Sequence, residues 1–226
     1  MRQRRRLLQA LATGGLLGSA GVSGLIRDVL AKGDAPIRPG LNRMRGEVIV
    51  NFRAATEGQL IHPGDTVVTG RNSEAIYVIG QDAYLQRELT TVSFGAEALQ
   101  NLMRVVSGKI LSVFGKGAKS IQVSTATIGI RGTGCYIEDE SAGDKARTYF
   151  CLCYGSAELT PSAAPAQRMA YSTTHHDRPM FIHNDIKMAK TIVPADVINH
   201  SDDELKLLES LVGRVPPFYG KGGWNS

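Results

Sequence analysis

The chain has 226 residues, of which 42% are hydrophobic and only 6% aromatic, and its formal net charge is +5. This length suits one domain with a sizeable core. The charge does not indicate a nucleic-acid-binding surface, because most of it lies in the first 31 residues, in Arg2, Arg4, Arg5, Arg6 and Arg27 against Asp28. The remainder carries about +1, and we find no basic stripe with interleaved aromatic residues.

Residues 1–31 have the organisation of a signal peptide. The run R-R-R-L-L-Q from Arg4 to Gln9 fits a twin-arginine pattern, and a glycine-rich apolar stretch follows from Ala10 to Ile26. Arg27 ends this stretch short of the ~20 residues that a membrane-spanning helix needs. We expect cleavage after Ala31 or after Ala20, and export to the periplasm or cell envelope. Membrane contact is then expected only through this segment, if it is retained. The alternative is a basic cytoplasmic N-terminus.

Several of the following segments alternate with the period of two that is typical of β-strands. Val48 and Val50 are expected to share one face, whereas the runs at 76–79 and 110–114 are apolar on both faces and predict buried strands. Turn residues separate these runs at short intervals. The sequence therefore predicts a mainly β fold, as a single β-sandwich or β-roll. Residues 96–106 have helical spacing, with the approach to a strand as the alternative.

A short amphipathic helix is predicted at 201–214. Ser201 and Glu204 have the spacing of a capping box, and an apolar stripe follows at Leu205, Leu208, Leu211 and Val212. We expect the stripe to pack on the β core, and a partner-binding helix is the alternative. Residues 160–200 are expected to form a loop extension, and residues 215–226 a mobile tail.

Motifs between Gly46 and Leu159 follow one another in a recognisable order. They are G-E-V-I-V-N at 46–51, L-I-x-P-G-D-x-V-x-T-G-x-x-S-x-A at 60–75, I-R-G-T at 130–133 and Y-G-S-A-E-L at 154–159. The set resembles the FecR domain, an extracytoplasmic all-β module best known from sensors of iron-uptake signalling. The resemblance implies a β domain over 46–159 that senses or binds. Its best-known members are anti-sigma regulators, which have a cytoplasmic helical segment before a membrane helix. We expect no such segment here, because too few residues precede the domain.

The I-R-G-T motif is expected to be structural. A buried arginine can donate to several backbone carbonyls, and glycine permits close backbone approach. We therefore expect Arg131, Gly132 and Thr133 to hold strands together rather than to bind a ligand.

The FecR resemblance does not account for the three cysteines. Cys151 and Cys153 are two residues apart on a predicted strand, so both side chains point to one face. A hairpin that sets Ile137 against residue 148 or 149 brings Cys135 opposite the Cys151 region. Three sulfurs are then expected on one patch.

A histidine pair completes a candidate metal site. His175 and His176 follow the second strand of this hairpin and can supply one or two nitrogens from a loop. Thiolates with an imidazole suit Zn²⁺ or an iron-based centre. The expected ligands are Cys135, Cys151, Cys153, His175 and His176. His183 is expected to matter less.

Two other states of the cysteines stay open at this point. One is a disulfide from Cys135 to Cys151 or Cys153 with one free thiol left over, since the latter two cannot easily bridge each other. The other is three inert buried thiols. The sequence has no phosphate-binding loop, no H-E-x-x-H and no nucleophile elbow, so a Cys–His nucleophile is the weakest reading.

The sequence therefore predicts an exported, FecR-like binding, sensing or scaffold protein without enzymatic activity. Its expected partner is an envelope protein or a small ligand, not nucleic acid. The alternative is a metal- or cofactor-binding redox protein on the same fold, which would use the cysteine and histidine cluster.

Overall fold

A computed structural model describes residues 39–96, 99, 101–140 and 146–219. The predicted signal peptide at 1–31, with both of its cleavage sites, lies outside the described residues. Among the described residues, none of the helices is long and apolar enough to span a bilayer.

The described chain is mainly β, with one short α-helix, as the sequence predicts. Its strands are β1 (Gly40–Arg45), β2 (Val48–Val50), β3 (Arg53–Ala54), β4 (Thr66–Thr69), β5 (Glu74–Ile79), β6 (Asp82–Gln86), β7 (Thr90–Phe94), β8 (Leu102–Val113), β9 (Ala118–Gln122), β10 (Ala126–Glu140), β11 (Arg147–Pro161), β12 (Met169–Thr173), β13 (Met180–His183) and β14 (Ile192–Pro194). The helix α1 spans Asp202–Leu211.

These strands form one sheet in the order β14-β13-β11-β10-β9-β8-β7-β4-β2-β3. Strands β1, β5, β6 and β12 attach beside this path. The long strands change partners along their length: β10 pairs with β9 through 127–131 and with β8 through 134–139. Partner changes of this kind let a sheet fold over and pack against itself.

The two faces of this sheet bury different residues. We call one set the inner cluster; it draws on most strands and includes Val48, Val67, Tyr77, Ile110, Ile128 and Ile182. The other set, the outer cluster, includes Ile76, Leu85, Leu111, Tyr136, Cys151 and Cys153. The runs at 76–79 and 110–114 contribute to both clusters. Burial on both faces, as the sequence predicts for these strands, is therefore confirmed.

Helix α1 covers the outer cluster. Ser201 is its N-cap and accepts a hydrogen bond from the backbone N–H of Glu204, whose side chain accepts one from the backbone N–H of Ser201. The predicted capping box is therefore present. Its leucines are buried in the outer cluster: Leu205, Leu207, Leu208 and Leu211. The helix thus packs on the β core, and it ends at Leu211 rather than at 214.

Three segments differ from the sequence prediction. Residues 102–106 belong to β8, so the helical spacing there does not produce a helix. The expected loop extension at 160–200 contains β12, β13, β14 and a 3₁₀ turn at Pro165–Gln167. In the expected tail, Phe218 packs against the outer cluster, and residues 220–226 lie outside the described part.

The I-R-G-T segment also differs in detail. Arg131 is exposed, not buried as expected. Its side chain therefore does not donate hydrogen bonds to carbonyl groups in the core. Gly132 adopts φ +53°, and a Cβ built there would meet nothing within 4 Å. Glycine is thus favoured at this position by the left-handed backbone conformation, not by a neighbouring atom that would exclude a Cβ. Close approach is needed at Gly155, where a Cβ would press on Thr133 and on the carbonyl oxygen of Gly132.

Candidate metal centre

The β10–β11 ladder decides which thiols meet. Tyr136 lies opposite Cys151 and Cys135 lies opposite Leu152. Directly opposed residues share a face, and neighbours along a strand alternate. Cys151 therefore points to the outer cluster with Cys153, whereas Cys135 points to the inner cluster.

Cys135 consequently does not join the predicted patch of three sulfurs. Ile137 pairs with Phe150, not with residue 148 or 149, and the ladder is irregular at Gly134. The three cysteines are all free and buried. No disulfide forms among them, because Cys135 lies across the sheet from the other two.

Four residues of the outer face do converge. Cys151, Cys153, His176 and His200 each offer one donor atom, and these atoms all lie within 4.8 Å of one another. His176 Nδ1 is 3.5 Å from Cys151 Sγ and 3.0 Å from His200 Nε2. Donors bound to one metal at 2.0 to 2.3 Å in a tetrahedron are about 3.3 to 3.8 Å apart. The group is therefore close to the size of a tetrahedral site.

Hydrogen bonds to the far side of each imidazole orient the two rings. His176 Nε2 lies 3.1 Å from Asp202 Oδ1, and His200 Nδ1 lies 2.6 Å from the carbonyl oxygen of Ile198. A carboxylate and a carbonyl only accept hydrogen bonds, so each of these nitrogens carries a hydrogen. In neutral rings, His176 Nδ1 and His200 Nε2 then present lone pairs to each other. Only a proton or a metal ion between them relieves that contact.

The electrostatics favour a thiolate at Cys151. Its pKa is lowered by a hydrogen bond from Cys153 and by His176 and His200, against the opposing effect of burial. Burial raises the pKa of Cys153. Burial also opposes protonation of His176, but hydrogen bonds with Asp202 and Cys151 outweigh it and raise its pKa to about 9. A thiolate is the form of cysteine that binds metals.

The scaffold holds His200 firmly, although no strand contains it. Its ring stacks on Tyr136, with centroids 4.6 Å apart. The preceding residue, Asn199, donates to Glu138 at 2.7 Å and accepts from Arg87 at 2.7 Å through its carbonyl. The backbone N–H of Ile198 donates to the hydroxyl of Tyr149 at 3.2 Å.

His200 is the member of this group that the sequence prediction missed. It directly precedes Ser201, the N-cap of a helix that was expected to pack on the β core. That position was the available signal, because docking the helix brings its first residues against a strand. No spacing motif links His200 to Cys151 or Cys153.

His175 lies next to the group but outside it. Its Nε2 is 2.8 Å and 2.9 Å from the two carboxylate oxygens of Asp202, and its ring lies against Phe218 at 4.5 Å. His175, His176 and Asp202 form a second, overlapping group of possible ligands. His183 lies on β13, opposite Arg147, and belongs to neither group.

Comparisons with known proteins add little to this geometry. No protein-family model matches the chain, and no curated protein matches it. Two solved structures of a "putative anti-sigma factor" from Parabacteroides distasonis ATCC 8503 are similar to it, with TM-scores of 0.46 and 0.45 and 9% sequence identity in both cases. Each alignment covers 58% of this chain and 59% of the other, so this chain spans less than two thirds of those proteins. A similarity of this size supports no inference about function.

Proposed function

We propose that this protein is a non-enzymatic metal-binding module that holds one Zn²⁺ through Cys151, Cys153, His176 and His200. The convergence of two thiols and two imidazole nitrogens carries this proposal, above all the 3.0 Å approach of His176 Nδ1 to His200 Nε2. Two sulfurs and two nitrogens in a tetrahedral arrangement are typical of zinc. Four protein ligands leave no open position, which is typical of structural rather than catalytic zinc.

A cysteine nucleophile is the second candidate, because Cys151, His176 and Asp202 also have the order of a nucleophile, a base and an orienting group. The distances along this chain are 3.5 Å and 3.1 Å. Two observations favour the metal. Cys151 is 0% exposed, whereas reactive cysteines are usually partly exposed. His200 Nε2 also lies against the nitrogen that would act as the base.

The decisive experiment is metal analysis of protein purified natively from the envelope fraction, together with a thiol count after denaturation with a chelator. We expect one metal per chain and three titratable thiols. His200→Gln and Cys151→Ser should lose the metal, whereas His183→Gln should keep it, as a matched control for replacing a histidine. Wild-type protein that neither contains metal nor binds added Zn²⁺ would overturn the proposal.

The same preparations distinguish the second candidate. A nucleophilic Cys151 in metal-free protein should react rapidly with a small alkylating reagent, and the product should be found on that residue. We expect slow alkylation of the folded protein, since the sulfur is buried. Rapid, selective modification of Cys151 in the folded state would favour the nucleophile.

The setting of this module is part of the proposal. The ordered motifs from Gly46 to Leu159 support a FecR-like sensing or scaffold role with an envelope protein or a small ligand as partner. The twin-arginine pattern supports export of an already folded and metal-loaded protein. Replacing Arg4 and Arg5 with lysine should keep the precursor in the cytoplasm. Wild-type protein found in the cytoplasm with Met1 intact would contradict export.

A further inference from the structure

We infer that Asp202 is the positioning residue of the metal centre: it fixes the His176 ring so that Nδ1 faces the metal. This inference rests on the proposed function. Asp202 does not touch the metal itself, and its role is exerted through the histidine. Carboxylates that accept the far N–H of a metal-bound histidine fix its tautomer and raise its basicity as a ligand.

The contacts of Asp202 are specific. Oδ1 lies 3.1 Å from His176 Nε2 and 2.8 Å from His175 Nε2, and Oδ2 lies 2.9 Å from His175 Nε2. One carboxylate thus receives two imidazole N–H groups.

The His176 ring is oriented by side-chain contacts, because no strand or helix contains this residue. It lies in the loop between β12 and β13 with φ +52°, a left-handed conformation that is uncommon outside glycine. Its backbone N–H donates to the carbonyl of Cys153 at 2.9 Å, which fixes the main chain beside the thiols. The direction of the ring then depends on its side-chain contacts, which are those of Nδ1 with Cys151 and His200 and that of Nε2 with Asp202.

Asp202 is well placed for this role because it is part of a fixed element. It is the first residue of α1, directly after the N-cap Ser201, and His200 precedes the cap. The carboxylate of Glu204, in the same turn, forms an ion pair with the guanidinium of Arg87 at 3.0 Å. One helix start therefore supplies both a ligand, His200, and the carboxylate that orients the other histidine. A carboxylate at this end of a helix is also favoured by the helix dipole.

A second metal ion is the competing explanation of the same contacts. His175, His176 Nε2 and Asp202 could ligate it while His176 Nδ1 binds the first. We favour the hydrogen-bonded arrangement, because each contact joins a nitrogen that can carry a hydrogen to an acceptor oxygen at 2.8 to 3.1 Å. Metal stoichiometry separates the two explanations.

The test compares Asp202→Ala and Asp202→Asn with Asp203→Asn in the full mature chain. Asp203 is the next residue of the same helical turn, also acidic, and contacts Lys206 rather than a histidine. The measurements are Zn²⁺ affinity by competition with a chromophoric chelator, the visible absorption of the Co²⁺ form, and ¹⁵N shifts of the His176 ring. Circular dichroism of the metal-free variants controls for folding.

We expect Asp202→Ala to bind Zn²⁺ about 10- to 100-fold more weakly. Its His176 ring should lose the fixed tautomer and its Co²⁺ spectrum should change. Asp202→Asn should be intermediate, since the amide oxygen still accepts a hydrogen bond, and Asp203→Asn should match the wild type.

Four results would overturn the inference. They are wild-type affinity in Asp202→Ala, an equal loss in Asp203→Asn, loss of affinity in Asp202→Ala with an unchanged His176 tautomer, and two Zn²⁺ per wild-type chain. If Asp202→Ala does not fold, the comparison of Asp202→Asn with Asp203→Asn decides by the same criteria. A wild type that binds no Zn²⁺ would overturn the proposed function and this inference with it.

Discussion

The ring of Tyr136 stacks on the ring of His200, with centroids 4.6 Å apart and planes 21° from parallel. Tyr136 lies opposite Cys151 in the β10–β11 ladder, so the stack sets the imidazole over the strand that carries both thiols. The tyrosine hydroxyl donates to Glu138 at 2.7 Å and takes no part in the stack. The ring and the hydroxyl of this residue can therefore be tested separately.

We expect Tyr136→Leu to weaken Zn²⁺ binding and Tyr136→Phe to leave it nearly unchanged. A stacked aromatic pair contributes about 0.5 to 1.5 kcal/mol beyond area burial, which corresponds to a change of roughly 2- to 10-fold in affinity. Chelator competition measures this difference. Equal affinities for the leucine and phenylalanine variants would show that the stack does not position His200.

Cys135 and Cys153 lie on opposite faces of the hairpin, so replacing them should affect metal content differently. Cys135→Ala should retain full metal content but lose about 1 to 2 kcal/mol of stability, because its thiol fills part of the inner cluster. Cys153→Ala should lose the metal. Elemental analysis and denaturant unfolding of each variant check this. Loss of metal in Cys135→Ala would place that sulfur in the centre after all.

The face to which Cys135 points depends on more than local sequence patterns. The hairpin, the buried strands and the capping box all follow from local patterns, and each is present. The partner of Cys135 depends on register, and a shift of one residue moves a side chain to the other face. In the structure one register runs unbroken from Glu140 opposite Arg147 to Cys135 opposite Leu152, and no local pattern in the sequence distinguishes it from the predicted one.

His200 was missed for a different reason. It is 47 residues from Cys153 in sequence, and only the docking of α1 brings it to the thiols. The spacing of residues in the sequence does not predict a contact that depends on how a distant helix docks. The histidine pair was recognised, but the structure divides it: His176 joins the thiols, and His175 contacts Asp202.

The stability of the metal-free protein should depend on pH because His176 titrates. Burial opposes its protonation, yet hydrogen bonds with Asp202 and Cys151 raise its pKa to about 9, above the ordinary value of 6.5. A group whose pKa is raised by folding contributes stability that is full below the unfolded value and is lost as pH rises through the folded one. Wild type should therefore exceed His176→Gln in stability near pH 6, and this advantage should disappear by about pH 10.

Denaturant unfolding of both chelator-treated proteins across this range provides the measurement. His183→Gln serves as the control, since His183 lies outside the cluster. A stability difference between wild type and His176→Gln that stays constant over the range would contradict the predicted hydrogen bonding of this residue.

The inner face of β10 should not tolerate charge. Ile130 is 2% exposed within the inner cluster, and Ile130→Asp would bury a carboxylate without a partner. We expect a loss of more than about 3 kcal/mol in the free energy of unfolding. Arg131→Asp is the matched control, because Arg131 is the next residue and its side chain is exposed. A melting temperature near that of wild type for Ile130→Asp would show that the face is not buried.

The two glycines at the β10–β11 irregularity should respond differently to alanine. Gly132 has φ +53° with open space around its Cα, so Gly132→Ala should cost only the left-handed backbone, about 1 to 2 kcal/mol. Gly155 has φ +100°, and an added methyl group would press on Thr133 and on the carbonyl oxygen of Gly132. Gly155→Ala should therefore cost clearly more than Gly132→Ala, because β10 must move away from β11. Urea unfolding of the two variants measures the difference. A smaller loss at Gly155 would mean that the strands do not approach as closely there as the structure has them.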